Sequence, residues 1–441
     1  MILNFLQSVQ IGWRCLPMIR NDSKGYWISY TRLNMTDPLP VHGQGVFVFN
    51  HVAKTSPCVF VLMNADQNNG LHVEFTDTGV SVCEAASLKP LVDPSNKTGL
   101  STHAGAYYWF SLDAQNQRLY AGVGEARLET VIYSYKFPDG TKALTTSNKL
   151  FLESITGVFH GPEIDMIRII KDPITSKIPL AVKHMEELTL DHIASAGAMP
   201  IANLPPICQK LYNCIAGKNF RLDTPDFPDF SQAIEYSIRT PGMWCHDKLL
   251  DKSREFNPDK PDVLETYLRI TLGENNGESP GIPYVMEIWP VGHYSPIHSH
   301  AGASAIIRVL NGEINVSLYP FLCTEKDGVA PFGAATFQKD EIAWITPTLN
   351  QTHKLRNLTT NSYTCITIQC YMYTERDSRH YDYFDYLDAD GTKQQYEPDS
   401  DMDFLDFKAR IKSDWAARPL TASVATVVGA RNGWCCVPLH R

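Results

Sequence analysis

The chain has 441 residues, room for about two to three domains, and is 44% hydrophobic and 20% charged, the proportions of a soluble globular protein that buries a core. Its net charge of −9 and the lack of any basic run argue against nucleic acid or an acidic membrane as a partner. The 11 cysteines, an odd number without zinc-ligand spacing, read as reduced thiols of a cytoplasmic protein rather than as a disulfide framework. The opening MILNFLQSVQIGWRCL is broken by Asn4, Gln7 and Gln10, too polar for a signal peptide, and no stretch is long enough to span a bilayer. The adjacent Cys435 and Cys436 do not sit at a prenylation position.

Residues 1–150 read as a β-sandwich. The runs GYWISYTRL, GVFVFNHV, CVFVLMNA, LHVEFTDTGVSVCEA, AYYWFSLDA, RLYAGVG and TVIYSYKF are short and rich in β-branched and aromatic residues. Turn signals such as DQNNG, DTG and PDG separate them. This part resembles a β-module labelled a farnesoic acid O-methyltransferase-like domain. It has no glycine-rich loop of the kind a methyl donor would need, and His42, His51, His72 and His103 are scattered, so no catalysis is placed there.

Residues 151–200, interrupted by Pro173 and Pro179, read as a connector. From residue 201 the pattern turns helical: Ile207, Leu211 and Ile215 recur at helical spacing behind Pro205 and Pro206, FSQAIEYSIR is a second helix, and WCHDKLL a third. Cys245 and His246 are neighbours and therefore diverge on any regular element, so they are not read as a metal site. From TYLRITL to CITIQCYMY the chain returns to short strands with tight turns, as in a small barrel or jelly roll. Residues 401–441 read as a C-terminal tail.

One stretch of that last β region, WPVGHYSPIHSHAGASAIIRVLNG, carries His298 and His300 two apart. On a strand such residues point the same way and offer two imidazoles to one metal. About forty residues on, ITPTLNQTHKLRNLT supplies His353, with Asn357 four residues later. Two β motifs giving two His and then one form the cupin pattern. The usual cupin has a Glu five residues after the second His; here that position is Ala305. The frame from Trp289 to Gly312, His353 with Asn357, TYLRI and CITIQCYMY together resemble the cysteine dioxygenase family of thiol dioxygenases over residues 201–400.

The resemblance implies a mainly β chain, with a cupin (jelly-roll) barrel preceded by a few helices following the N-terminal β-sandwich. It implies Fe(II) held by His298, His300 and His353, which leaves open positions for substrate and dioxygen. Arg269, two residues after Tyr267, falls where the family clamps the substrate carboxylate; Arg308 is its nearest competitor. Thr367, Gln369 and Tyr371 fall on the family's Ser-x-His-x-Tyr relay, Tyr371 facing the substrate and Gln369 replacing the relay His. With Ala305 in place of a cysteine, Tyr371 has no sulfur partner for a thioether cross-link. His293 is out of phase with His298, and Trp289 packs near the site. The implied activity is oxidation of a small thiol, L-cysteine first, to its sulfinic acid with O2. The alternatives are 3-mercaptopropionate or another small thiol, or a non-catalytic cupin whose N-terminal module binds a ligand. The sequence leaves the oligomeric state open.

Overall fold

The computed structural model describes residues 19–22, 25–29, 37–51, 57–65, 70–85, 91, 99–101, 103, 105–137, 148–161, 164–256, 260–272, 284–372, 384–388, 390–396 and 399–419. The opening segment up to residue 18 and the Cys435–Cys436 pair lie outside them.

The N-terminal part is two facing sheets. The seven-stranded sheet runs in the order Ile19–Asp22, Gly25–Ser29, Ile164–Ile170, Gln44–His51, Tyr108–Asp113, Arg118–Val123, Val131–Lys136. The five-stranded sheet runs Asp37–Pro38, Ile155–His160, Cys58–Asn64, Gly70–Thr76, Gly79–Glu84. The period of two puts Phe47, Phe49, Phe60, Leu71, Val73, Phe75, Tyr108 and Phe110 on inner faces. Phe47 stacks on Phe110 at 4.5 Å and Phe60 meets Phe110 edge-on at 4.8 Å. This is the expected sandwich, with one difference. Residues 155–170, read as connector, form a central strand of the larger sheet and an inner strand of the smaller one. Their apolar residues bury Ile155, Val158 and Ile169 in the sandwich core, a pairing that sequence separation hides.

The C-terminal part is also mainly β. An eight-stranded sheet runs Met199–Pro200, Ala181–Lys183, Ile342–Ile345, Ser304–Asn311, Cys365–Met372, Tyr284–Trp289, Leu268–Leu272, Met402–Asp403. It faces a six-stranded sheet of Gly333–Gln338, Glu313–Leu318, Thr352–Arg356, His298–Ser299, Phe384–Leu387 and Lys393–Tyr396. Among the described residues the two sheets are not hydrogen-bonded into one closed ring. The helices Pro206–Ile215, Phe230–Arg239 and Trp244–Phe256 stand where the sequence placed helices. They pack on the outer face of the larger sheet, against Ile288, Ile306, Ile366 and Ile368. The tail expectation also needs correcting. Met402–Asp403 pairs with Leu268–Leu272, and the helix Phe404–Ala416 buries Phe407 and Ile411 completely in the same layer.

Cys365–Met372 is buried along its whole length because both of its faces are covered. Its even-numbered residues meet the helices, while Cys365, Thr367, Gln369 and Tyr371 point between the sheets. The register carries this inward face sideways: Thr367 lies opposite Glu287, Glu287 opposite Arg269, and Tyr371 opposite Ala305. The polar groups of three strands therefore share one interior with Ala305 of a fourth. No helix among the described residues is long and apolar enough to cross a membrane.

Candidate metal centre

His298 and His353 are opposite partners on adjacent strands, and His300 follows two residues after His298. The ring centroids lie 4.7 to 5.2 Å apart, and one nitrogen of each ring lies within 4.8 Å of the others. All three side chains are buried. A backbone carbonyl can only accept, so the neighbours fix two tautomers. His298 donates Nδ1–H to Pro296 O at 3.0 Å and His353 donates Nδ1–H to Asn350 O at 3.2 Å. Both rings then turn an Nε2 lone pair inward. His300 Nε2 lies 3.1 Å from His353 Nε2, while its buried Nδ1 has no hydrogen-bond partner among the described residues.

Burial lowers His298 to about 4 and His353 to about 3, and it holds His300 well below 6.5, with the neighbouring rings adding to the last two shifts. The triad is therefore neutral at pH 7, the state a metal needs. The cavity against these rings is about 10 Å³, room for roughly one water-sized species. Converging lone pairs, fixed tautomers and a small buried space fit a divalent metal, with His298, His300 and His353 as the residues that would hold it. The shifts also set a pH dependence. These groups have folded-state pKa values below the unfolded value of 6.5, so their contribution is full above pH 6.5 and is lost as pH falls towards 4 and then 3. Metal-free protein should melt at steadily lower temperature from pH 7 to pH 5. A Tm that stays flat over that range would contradict a neutral buried triad.

The wall facing the triad is made by Tyr267, Glu287, Trp289, Ile307, Leu355, Gln369, Tyr371 and Phe384. Tyr371 is stacked on His300 at 5.5 Å and its hydroxyl donates to Gln369 Oε1. Burial, reinforced by Glu287, holds this phenol well above 10, so it remains a proton donor. Gln369 Nε2 donates to Glu287 Oε2 at 2.5 Å and to Thr367 Oγ1 at 3.2 Å. Tyr267 stacks on Trp289 at 4.1 Å, which fixes one wall. Ala305 is packed against Tyr371 and offers no sulfur.

Arg269 is inside this site, with its guanidinium 5.7 Å from the Phe384 ring centroid. It already holds a carboxylate of the chain: Nη1 donates to Glu287 Oε1 at 2.8 Å, both side chains being fully buried. Burial disfavours the Arg269 charge most, but Glu287 together with Tyr371, Tyr267 and Tyr396 outweighs it, and the guanidinium stays charged. Burial raises Glu287, and Arg269 pulls it back. Arg308 faces the other way. It donates to Ile215 O and Gly217 O, each at 2.9 Å, and closes the end of a helix. His293 is tied to Thr266 O at 2.7 Å, and Asn357 bridges Trp289 O and Tyr363 O. Neither reaches the triad. Cys245 is buried, and His246 points to Asp247 on the surface.

No family model matches the chain. An oxalate oxidase in complex with the substrate analogue glycolate is similar over 26% of this chain and 53% of its own, at 17% identity and a TM-score of 0.20. This chain thus spans about half the length of that protein. A cupin 2 domain-containing protein from Halorhodospira halophila is similar over 37% of this chain and 90% of its own, at 14% identity and a TM-score of 0.20. An L-ribose isomerase from Cellulomonas parahominis is similar over 29% and 70%, at 13% identity and a TM-score of 0.22.

Sequence reasoning missed Glu287, Phe384 and Gln351. Glu287 had a signal, since it is the one charge in the apolar run YVMEIW. Phe384 and Gln351 had none. Gln351 Oε1 accepts the backbone N–H of His300 at 2.7 Å and of Gly302 at 3.2 Å, and its Nε2 donates to Thr346 O at 2.8 Å. It holds the turn after His300, where Ala301 and Gly302 both have positive φ.

Proposed function

We propose that this protein is an Fe(II)-dependent thiol dioxygenase, converting a small thiol RSH and O2 to the sulfinic acid RSO2H, with both oxygen atoms on sulfur. The observation that carries the reading is the donor set. Three neutral imidazoles converge, with Ala305 where a carboxylate ligand would stand, and a protonated phenol lies beside them. Iron(II), when bound there, would supply the redox centre and an uncompensated dication that favours a thiolate.

The chain's own side chains do the rest. Tyr371, stacked on His300, brings its phenol oxygen beside the triad, its O–H held by Gln369 Oε1 until it exchanges that acceptor for a reacting group. Ile307, Leu355 and Phe384 keep bulk water from the site. Arg269 and Glu287 read the end of the substrate remote from sulfur. In the first substrate reading this end is the carboxylate of L-cysteine, which displaces Glu287 from Arg269. The Arg269–Glu287 pair favours a second reading. Here the substrate is an aminothiol without a carboxylate, its ammonium taken by Glu287, whose ionised form Arg269 favours against the effect of burial. The test is iron content of anaerobically purified protein together with oxygen uptake on L-cysteine, 3-mercaptopropionate and cysteamine. Stoichiometric iron and thiol-dependent uptake are expected. Iron-loaded protein that consumes no oxygen with any of the three would leave a non-catalytic cupin as the better reading.

A further inference from the structure

The N-terminal sandwich reaches the metal centre through one buried carboxylate. Glu125 lies in the turn after the strand Arg118–Val123 and is 1% exposed. Its Oε2 accepts the backbone N–H of Asn350 at 2.8 Å and its Oε1 that of Gln351 at 2.7 Å. Arg127, from the same turn, donates to Asn350 Oδ1 at 2.8 Å and to Ile178 O at 2.5 Å. Asn350 has φ 58°, a left-handed conformation that needs support from its surroundings. The approach is close enough to require glycine. Gly124 has φ +82°, and a Cβ there would stand 2.1 Å from Pro320 O.

The two residues held by Glu125 support two of the three triad residues from outside. Asn350 O receives the Nδ1–H of His353, which sets the tautomer and turns Nε2 inward. The Gln351 side chain receives the backbone N–H of His300. We infer that Glu125 is a positioning residue of the metal centre, and that the sandwich is a structural part of that centre rather than an independent ligand-binding module. The physical argument is one of alternatives. Without Glu125, two backbone N–H groups at a left-handed residue lose their acceptors, and the turn is free to relax. Two of the three imidazoles then lose their fixed direction together. Arg127, buried beside it, cannot substitute, because a guanidinium only donates.

Binding of Co(II) alone to the full chain, followed by its visible absorption, tests this without reference to thiol oxidation. Loss of an outer partner of a metal ligand commonly weakens binding by roughly 10–100-fold. Glu125→Ala should bind Co(II) more weakly by that order and with displaced visible bands. Glu125→Asp, which keeps both acceptors, should recover part of the loss. His103→Ala removes a separate contact between the sandwich and the C-terminal β unit, the 3.1 Å pair with Asp327, and should bind Co(II) as the wild type does. If Glu125→Ala does not fold, Glu125→Gln carries the comparison, since its amide turns a donor towards one of the two N–H groups. A folded Glu125→Gln or Glu125→Ala protein with wild-type affinity and spectrum overturns the inference. Equal weakening by His103→Ala overturns it too, by showing a general loosening of the interface. Wild-type protein that takes up no Co(II) would remove the metal centre and this inference with it.

Discussion

Replacing His353 with alanine should abolish metal retention and oxygen uptake together, and so should His298→Ala and His300→Ala. Each residue contributes one inward nitrogen to a set of three, and among the described residues no other His, Cys, Asp or Glu joins that cluster. With two ligands left on one side, the ion loses a third of its protein donors and nothing nearby replaces them. The expected fall in affinity exceeds about a hundredfold, the upper end of what loss of an outer partner costs. The apo fold should survive, because the rings line the small cavity rather than the hydrophobic cores around Phe47 or Ile288. Metal analysis after dialysis, circular dichroism and oxygen uptake on the same preparations check it. A variant that keeps full metal content and full activity would remove its residue from the ligand set.

The second large effect concerns substrate choice at Glu287. Truncating Arg269 alone is a poor probe, because it strands a buried carboxylate, and breaking such a pair costs about 3–5 kcal/mol in its own right. Glu287→Gln is cleaner, since it keeps the shape and a hydrogen-bond acceptor for Arg269 and removes the negative charge, at the cost of turning its amide nitrogen towards Gln369 Nε2. If Glu287 takes a substrate ammonium, cysteamine should lose about 2 kcal/mol of kcat/KM, the size of a charged hydrogen bond, or roughly thirtyfold. A carboxylate substrate now meets Arg269 without a competing charge, so 3-mercaptopropionate should gain. The ratio of the two kcat/KM values cancels any damage to iron, because both thiols need it. A ratio within about twofold of the wild type would make the Arg269–Glu287 pair purely structural.

How much of this was legible beforehand follows from the range of each interaction. The strands from Leu268–Leu272 to Cys365–Met372 could be read because alternation and turn residues are local signals. The helix Pro206–Ile215 announced itself by proline at its start and by apolar residues at helical spacing. The strands Ile155–His160 and Ile164–Ile170 did not, because they belong to the sandwich only through partners about a hundred residues earlier. The helix Phe404–Ala416 was missed for the same reason: Phe407 and Ile411 find their core against helices and strands made long before.

By itself the sequence determined the mainly β character, the helices before the second β unit, and the pairing of His298 with His300, since a two-residue spacing on a strand dictates a common face; His353 joined them through the family resemblance. Only the tertiary structure decided what surrounds them. The register of three adjacent strands set Glu287 opposite Arg269 and Thr367 and within reach of Gln369, and so gave Arg269 an internal ion-pair partner. Docking of the sandwich put Glu125 under the turn that aims His353. Both outcomes depend on which backbones lie about 5 Å apart across a sheet or an interface. No local pattern encodes that, because the partners are 18 and 82 residues apart in the first case and more than 200 in the second, and such separations leave no period in the chain.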